Sequence, residues 1–227
     1  MKKIAVVEQF FEPHHREQID AAAARCGYVV DYYLDGVLPR EREGEYEIVY
    51  GMPDRAQLKN MTQLKWFCAS FAGVDRFVDD ALYPHPDVLL TNSAGAYGVT
   101  IAEHILMVTL MLLRGMMPPQ EAVRRREWPR PDSVGAICGS RITVLGTGDI
   151  GTSFARRAKA MEAKSICGVR RTLKAADPAF DRVVTTAELD TVLPQTDILV
   201  LALPATGETN GILSRERIAL LPPQAIV

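Results

Sequence analysis

Residues 141–171 read RITVLGTGDIGTSFARRAKAMEAKSICGVRR. An apolar run, Ile142-Thr143-Val144-Leu145, opens directly into Gly146-Thr147-Gly148-Asp149-Ile150-Gly151. A stretch with helical spacing follows, with Ile150, Phe154, Ala158 and Met161 on one face. A second apolar run, Ser165 to Val169, then ends in Arg170 and Arg171. Gly-x-Gly-x-x-Gly between the strand and helix of one βαβ unit is the setting in which this spacing binds a dinucleotide. Gly146 lets the chain turn off the strand, Gly148 lets backbone approach a pyrophosphate, and Gly151 lets the helix pack against the strand. The helix start at Asp149 and Ile150 offers unpaired N–H groups and a positive dipole end to phosphate. Asp149 itself reads as a solvent-facing residue that suits the dipole, with no catalytic role.

Upstream, short apolar runs alternate with helical or turn-rich segments. Ile4–Val7, Val29–Tyr33, Ile48–Tyr50, Leu64–Cys68 and Val88–Leu90 read as strands, and Glu17–Cys26 reads as a helix closed by Gly27. That alternation argues for an α/β fold with parallel sheets. None of these strands opens into a glycine turn like Gly146–Gly151, so the dinucleotide site belongs to the later part. Thr100–Met116 is a long helix, apolar nearly all round, so little of it should face water. His104, near its start, reads as a partly buried, satisfied histidine, while His14, His15 and His85 lie in loop-like contexts. Met117–Ser140, rich in proline, reads as a connecting helix and loop anchored by Trp128. Downstream, Val183-Val184 and Ile198–Leu203 read as strands, the second fully buried. Thr186 is expected to cap a short helix, Ser214–Leu221 reads as another, and Ala225–Val227 begins a further strand.

The 227 residues carry a net charge of −2, which gives no electrostatic reason to bind nucleic acid. Arg124-Arg125-Arg126 sits among glutamates and reads as a solvated face. The most apolar stretch, Ile105–Leu113, is shorter than the ~20 residues a membrane span needs, so no membrane association is expected. Cys26, Cys68, Cys138 and Cys167 are scattered without a C-x-x-C pair. They read as small core residues in a reducing, cytoplasmic protein, with neither disulfides nor a metal site.

Several separate stretches together resemble the D-isomer-specific 2-hydroxyacid dehydrogenase family. They are Ser70-Phe71-Ala72-Gly73-Val74-Asp75, Thr91–Gly98 with Ile101-Ala102-Glu103, Leu112-Leu113-Arg114, Gly146–Gly151, Leu203–Thr206 with Thr209, and Leu221-Pro222-Pro223. The resemblance implies a flavodoxin-like substrate domain at 1–93 and a Rossmann-type NAD(P)-binding domain at 94–227. It implies reversible hydride transfer between NAD(P)H and a small 2-oxo or D-2-hydroxy acid. Backbone N–H groups of Ala72 and Gly73 would hold the substrate carboxylate. Gly148, Asp149 and Ile150 would carry the pyrophosphate, and Leu203, Pro204 and Thr209 would border the adenosine ribose. The helix near residues 100–116 would form a homodimer. The family's catalytic arginine, glutamate and histidine follow the strand that starts at Ala225, so no catalytic residue is assigned in this chain. The expectation is a copy incomplete at its C-terminal end, inactive or weakly active. A non-enzymatic, redox-sensing dinucleotide module is the alternative. A methyltransferase is a third reading, because Gly146-Thr147-Gly148 also resembles a nucleoside-binding turn.

Two further details carry consequences. The second strand ends Val169-Arg170-Arg171-Thr172, without the carboxylate that takes a ribose 2′-hydroxyl in NAD sites. Two guanidiniums suit a 2′-phosphate, so NADP is expected over NAD. Glu162 and Gln224 stand where the family commonly has glycine, and a left-handed backbone at either would be strained.

Overall fold

Strand-forming runs closed by glycines and short turns build two all-parallel sheets. The computed structural model describes residues 1–116, 122, 124–127, 134–173, 175 and 177–227. These fall into two units, Met1–Ala94 and Gly95–Val227.

The first unit holds β1 (Lys2–Val7), α1 (Pro13–Arg25), β2 (Tyr28–Tyr33), β3 (Ile48–Gly51), β4 (Trp66–Ala69) and β5 (Leu89–Thr91). Its sheet runs β2-β1-β3-β4-β5 with every pairing parallel, the flavodoxin-like order. Val7, Tyr46, Val49, Leu58, Met61, Leu64 and Phe67 form its buried core. Helix α1 begins at Pro13, four residues before the start expected at Glu17. Proline's fixed φ suits the first helical position, and Glu12 and His15 close a reciprocal capping box. His14 and His15 are therefore helical, against the loop reading. Gly27, at φ +75°, ends the helix as expected. After β2, short 3-10 segments such as Arg40–Glu45 and Arg55–Asn60 replace helices. A polar network ties the first of them down: Arg42 donates to Asp31 (2.6 Å) and to the Tyr33 hydroxyl (2.6 Å), and Tyr46 donates to Asp31 (2.9 Å).

The second unit holds α2 (Gly98–Leu113), β6 (Arg141–Leu145), α3 (Asp149–Ala160), β7 (Ser165–Arg170), β8 (Arg182–Thr185), the single turn α4 (Leu189–Val192), β9 (Ile198–Leu201) and α5 (Arg215–Ala219). The parallel order β8-β7-β6-β9 is the 3-2-1-4 arrangement that begins a Rossmann sheet. Arg141 and Asp197 lock the starts of β6 and β9 together through Nε (3.0 Å) and Nη2 (2.7 Å). The guanidinium holds the Asp197 carboxyl below its ordinary range. Phe154, Ala155 and Ala158 of α3 are buried against Ile142, Val144, Ile166 and Ile198, and Ile105, Leu106, Leu110 and Leu113 of α2 pack on the same cluster.

Several details depart from expectation. Helix α2 buries only Gly98, Ala102 and Thr109 fully, while Val99 is 54% and Met107 48% exposed. One helix-wide stripe meets α3, and among the described residues Val99, Ile101, Met107, Val108 and Leu112 stay exposed. His104 is exposed and makes no hydrogen bond to a described residue, so it is not the satisfied histidine expected. β9 is not buried throughout: it flanks β6 at the sheet's end, joined beyond by one bridge from Ile198 to Ile226, and Leu201 is 45% exposed. The cap is Thr185, not Thr186, and it opens the 3-10 turn Thr186–Glu188 that leads into α4; Thr185 and Glu188 satisfy each other reciprocally. Only Cys167 of the four cysteines is buried, and Cys26 and Cys138 are exposed, because both sit in connections outside strands and helices. All four thiols are free. Arg124, Arg125 and Arg126 are exposed, as a solvated basic run should be. Trp128 and the prolines at 118, 119, 129 and 131 lie outside the described residues.

Candidate cofactor-binding site

The three glycines of the turn answer to different demands. Gly146 follows β6 at φ +98°, and a Cβ there would stand 2.3 Å from the Ala202 carbonyl oxygen. Both the dihedral and the approach of the next strand require glycine. A Cβ on Gly151 would stand 1.9 Å from the Gly146 oxygen, so the helix can lie on the turn only without a side chain. Gly148, the N-cap of α3, has ordinary backbone and nothing within 4 Å of a Cβ. The fold does not need glycine at 148; an added side chain would fill the open space where a bound pyrophosphate lies against the turn.

Thr147, between them, supplies a second sign of a missing partner. Its Oγ1 is buried and has no hydrogen-bond partner among the described residues. Its methyl lies over Gly168, where a Cβ would come within 2.5 Å. A buried hydroxyl without a partner is costly, and a ligand in the turn is a ready source of one.

Around this turn the second unit forms a cleft of about 520 Å³. It brings together Gly146, Thr147 and Gly148 from the turn, Arg170, Arg171 and Thr172 from the end of β7, and Leu203, Pro204 and Thr209 from the segment after β9. The cleft opens at the carboxyl ends of β6 and β9, where the strand order reverses, the place where doubly wound sheets take ligands. Asp149, Ile150 and Gly151 do not line it; they form the first turn of α3 beneath it, where N–H groups lack intrahelical acceptors. Asp149 is exposed, as expected, and its carboxylate lies against Gly98, leaving no room there for a side chain. The segment after β9 is stapled by its threonines: Thr209 Oγ1 donates to the Pro204 carbonyl (2.6 Å), and the Thr206 N–H donates to Thr209 Oγ1 (2.9 Å).

Among the wall residues that the sequence reading missed are Thr186, Glu208 and Ile212. Glu208 accepts from Arg171 Nη1 at 3.3 Å, across 37 positions of chain. Its turn was legible, but its pairing with the end of β7 depends on strand order. Cys167, earlier on β7, is not a reactive group here, since burial pushes its thiol up.

The first unit holds the other two predicted residues. Ala72 and Gly73 are exposed, in the loop after β4. Asn92 Nδ2 donates to the Ala72 carbonyl (2.7 Å), the Ser93 N–H to the Phe71 carbonyl (3.2 Å), and Ser70 Oγ to Glu8 Oε2 (2.5 Å). These bonds engage the loop through its carbonyls and Ser70. The N–H groups of Ala72 and Gly73 have no acceptor among the described residues.

The 3-2-1-4 sheet, the glycine turn at its switch point and the arginines on the cleft wall define a dinucleotide-binding α/β protein. The sequence model for the NAD binding domain of D-isomer specific 2-hydroxyacid dehydrogenases matches residues 106–227. The chain belongs to that family. It is 30% identical over 184 residues to the glyoxylate/hydroxypyruvate reductase B of Serratia proteamaculans (strain 568), covering 78% of this chain and 55% of that protein. The chain thus spans just over half the length of that relative. A crystal structure of a family protein from Aeromonas salmonicida subsp. salmonicida A449 superposes with a TM-score of 0.81 at 28% identity, over 99% of this chain and 71% of that one. A family member from Xanthobacter autotrophicus Py2, in complex with NADPH and MES, gives a TM-score of 0.75 at 26% identity, over 99% and 70%.

Proposed function

We propose that this chain is the substrate-loop and cofactor-binding part of an NADP-preferring oxidoreductase acting on a small 2-oxo or D-2-hydroxy acid. The observation that carries the reading is the cleft of the second unit, where an open Gly148, a partnerless Thr147 hydroxyl and two arginines share one wall system. Bound there, a reduced nicotinamide supplies a hydride. The turn and the first N–H groups of α3 hold the pyrophosphate through partial charges that already point outward. Arg170 and Arg171 take the 2′-phosphate, while Leu203, Pro204 and Thr209 border the ribose. The NADPH bound to the Xanthobacter relative supports the same preference.

The substrate carboxylate is held by the N–H groups of Ala72 and Gly73, which have no acceptor among the described residues, since successive backbone donors suit a carboxylate. The named activity of the Serratia relative points to glyoxylate or hydroxypyruvate as the first acids to test. Residues 1–93 serve the substrate and 94–227 the cofactor. The exposed apolar side of α2 is the contact of a homodimer, and four free thiols suit the cytoplasm. Titration calorimetry with NADPH and NADH tests the cofactor reading. Tighter binding of NADPH supports it, and a strong NADH preference overturns it.

A further inference from the structure

We propose that Glu208 and Arg171 together form a selector for the 2′ substituent of the adenosine ribose, so that the chain accepts both nicotinamide dinucleotides with Glu208 setting the ratio. The inference rests on the cofactor reading above. The end of β7 lacks a carboxylate for a ribose 2′-hydroxyl, but Glu208 brings one to the same cleft from the opposite wall. The stapled turn Thr206–Thr209 fixes where Glu208 leaves the backbone. Its Oε2 takes Arg171 Nη1 at 3.3 Å, with the two side chains 72% and 79% exposed.

An ion pair so exposed is weak and opens readily. Facing a 2′-hydroxyl, the pair stays closed, and Glu208 has a second oxygen with which to accept the hydroxyl proton. Facing a 2′-phosphate, Arg171 exchanges the carboxylate for the phosphate, a charge-assisted partner with more acceptor oxygens. Glu208 is then released to water, but remains a like charge near the phosphate. It therefore lowers the preference for the phosphorylated ribose below what Arg170 and Arg171 alone would give.

The test needs no turnover. Calorimetry measures the dissociation constants of 2′,5′-ADP and 5′-AMP for the wild-type chain and for E208Q and R171Q. For E208Q the ratio Kd(5′-AMP)/Kd(2′,5′-ADP) rises by about two- to fivefold, the range expected from removing one exposed charge partner. For R171Q the ratio falls. An unchanged ratio in E208Q, with the wild type still preferring 2′,5′-ADP and R171Q losing that preference, overturns the selector and leaves the NADP reading standing. A wild-type chain that binds both nucleotides equally, with R171Q no different, overturns both. E208A gives the same shift as E208Q if the charge is what matters; a shift confined to one of them overturns the selector.

Discussion

At the scale of single residues, one motif separates glycines that the fold demands from one that it does not. Gly146 and Gly151 touch neighbouring backbone, so a side chain at either must displace it. Gly148 faces open space. G148V is therefore expected to keep the wild-type melting temperature and lose affinity for dinucleotide by about tenfold or more, the equivalent of ~1.4 kcal/mol. G146A, by contrast, is expected to lower stability by at least ~1–2 kcal/mol from its positive φ alone, read by thermal or urea unfolding. Glu162 is the converse case. It sits at φ +63°, the strain anticipated from glycine's usual place there, whereas Gln224 is not left-handed. E162G is expected to raise stability by about 0.5–1 kcal/mol, the left-handed penalty less the entropy cost of glycine. An unchanged or lower melting temperature would mean that the contacts of the Glu162 side chain outweigh its backbone strain.

At the scale of elements, what could be read from the sequence followed the reach of each signal. Strands announced themselves because buried parallel strands are short apolar runs, closed by Glu8 and Gln9 after β1 and by Gly51 and Gly146 at β3 and β6. Ends that depend on a cap were displaced: Pro13 and the Glu12–His15 box start α1 early, and Thr185 takes the cap one residue before Thr186. Burial was the least legible. An apolar helix looks buried from its sequence, yet α2 offers α3 only one stripe, and Leu201 at the end of β9 faces out. Glu208 escaped for a related reason, since no local pattern tells which strand end a turn will face. The open side of α2, with Val99, Ile101, Met107, Val108 and Leu112 exposed, leads to a direct expectation. In sedimentation equilibrium the wild-type chain runs as a dimer, and M107E combined with V108E runs as a monomer with dinucleotide affinity unchanged. A wild-type monomer removes α2 from any role in assembly.

At the scale of the whole molecule, its ion pairs set how the protein responds to acid. Arg42, and after it Lys3, hold the Glu45 carboxyl down at about 2, against 4.5 when unfolded. Asp177, next to Arg156, and Asp197, next to Arg141, are lowered in the same direction. A carboxyl with a depressed folded-state pKa contributes stability that is present above its unfolded value and lost as pH falls through its folded value. The melting temperature should therefore hold from pH 7 to about pH 5 and decline from there toward pH 2. E45Q should flatten part of that decline, and an E45Q profile parallel to the wild type would remove Glu45 from the account. The two sheets share a parallel build, but only the second pairs a switch point with a glycine turn, so the cofactor reading belongs to residues 95–227 by construction of the fold. The most direct measurement of that reading is calorimetric titration of the wild-type chain and G148V with NADPH, NADH and S-adenosylmethionine. The account predicts saturable binding of NADPH, tighter than NADH, lost in G148V, with no heat from S-adenosylmethionine. Binding of S-adenosylmethionine without either dinucleotide, or equal NADPH binding by G148V, would contradict it.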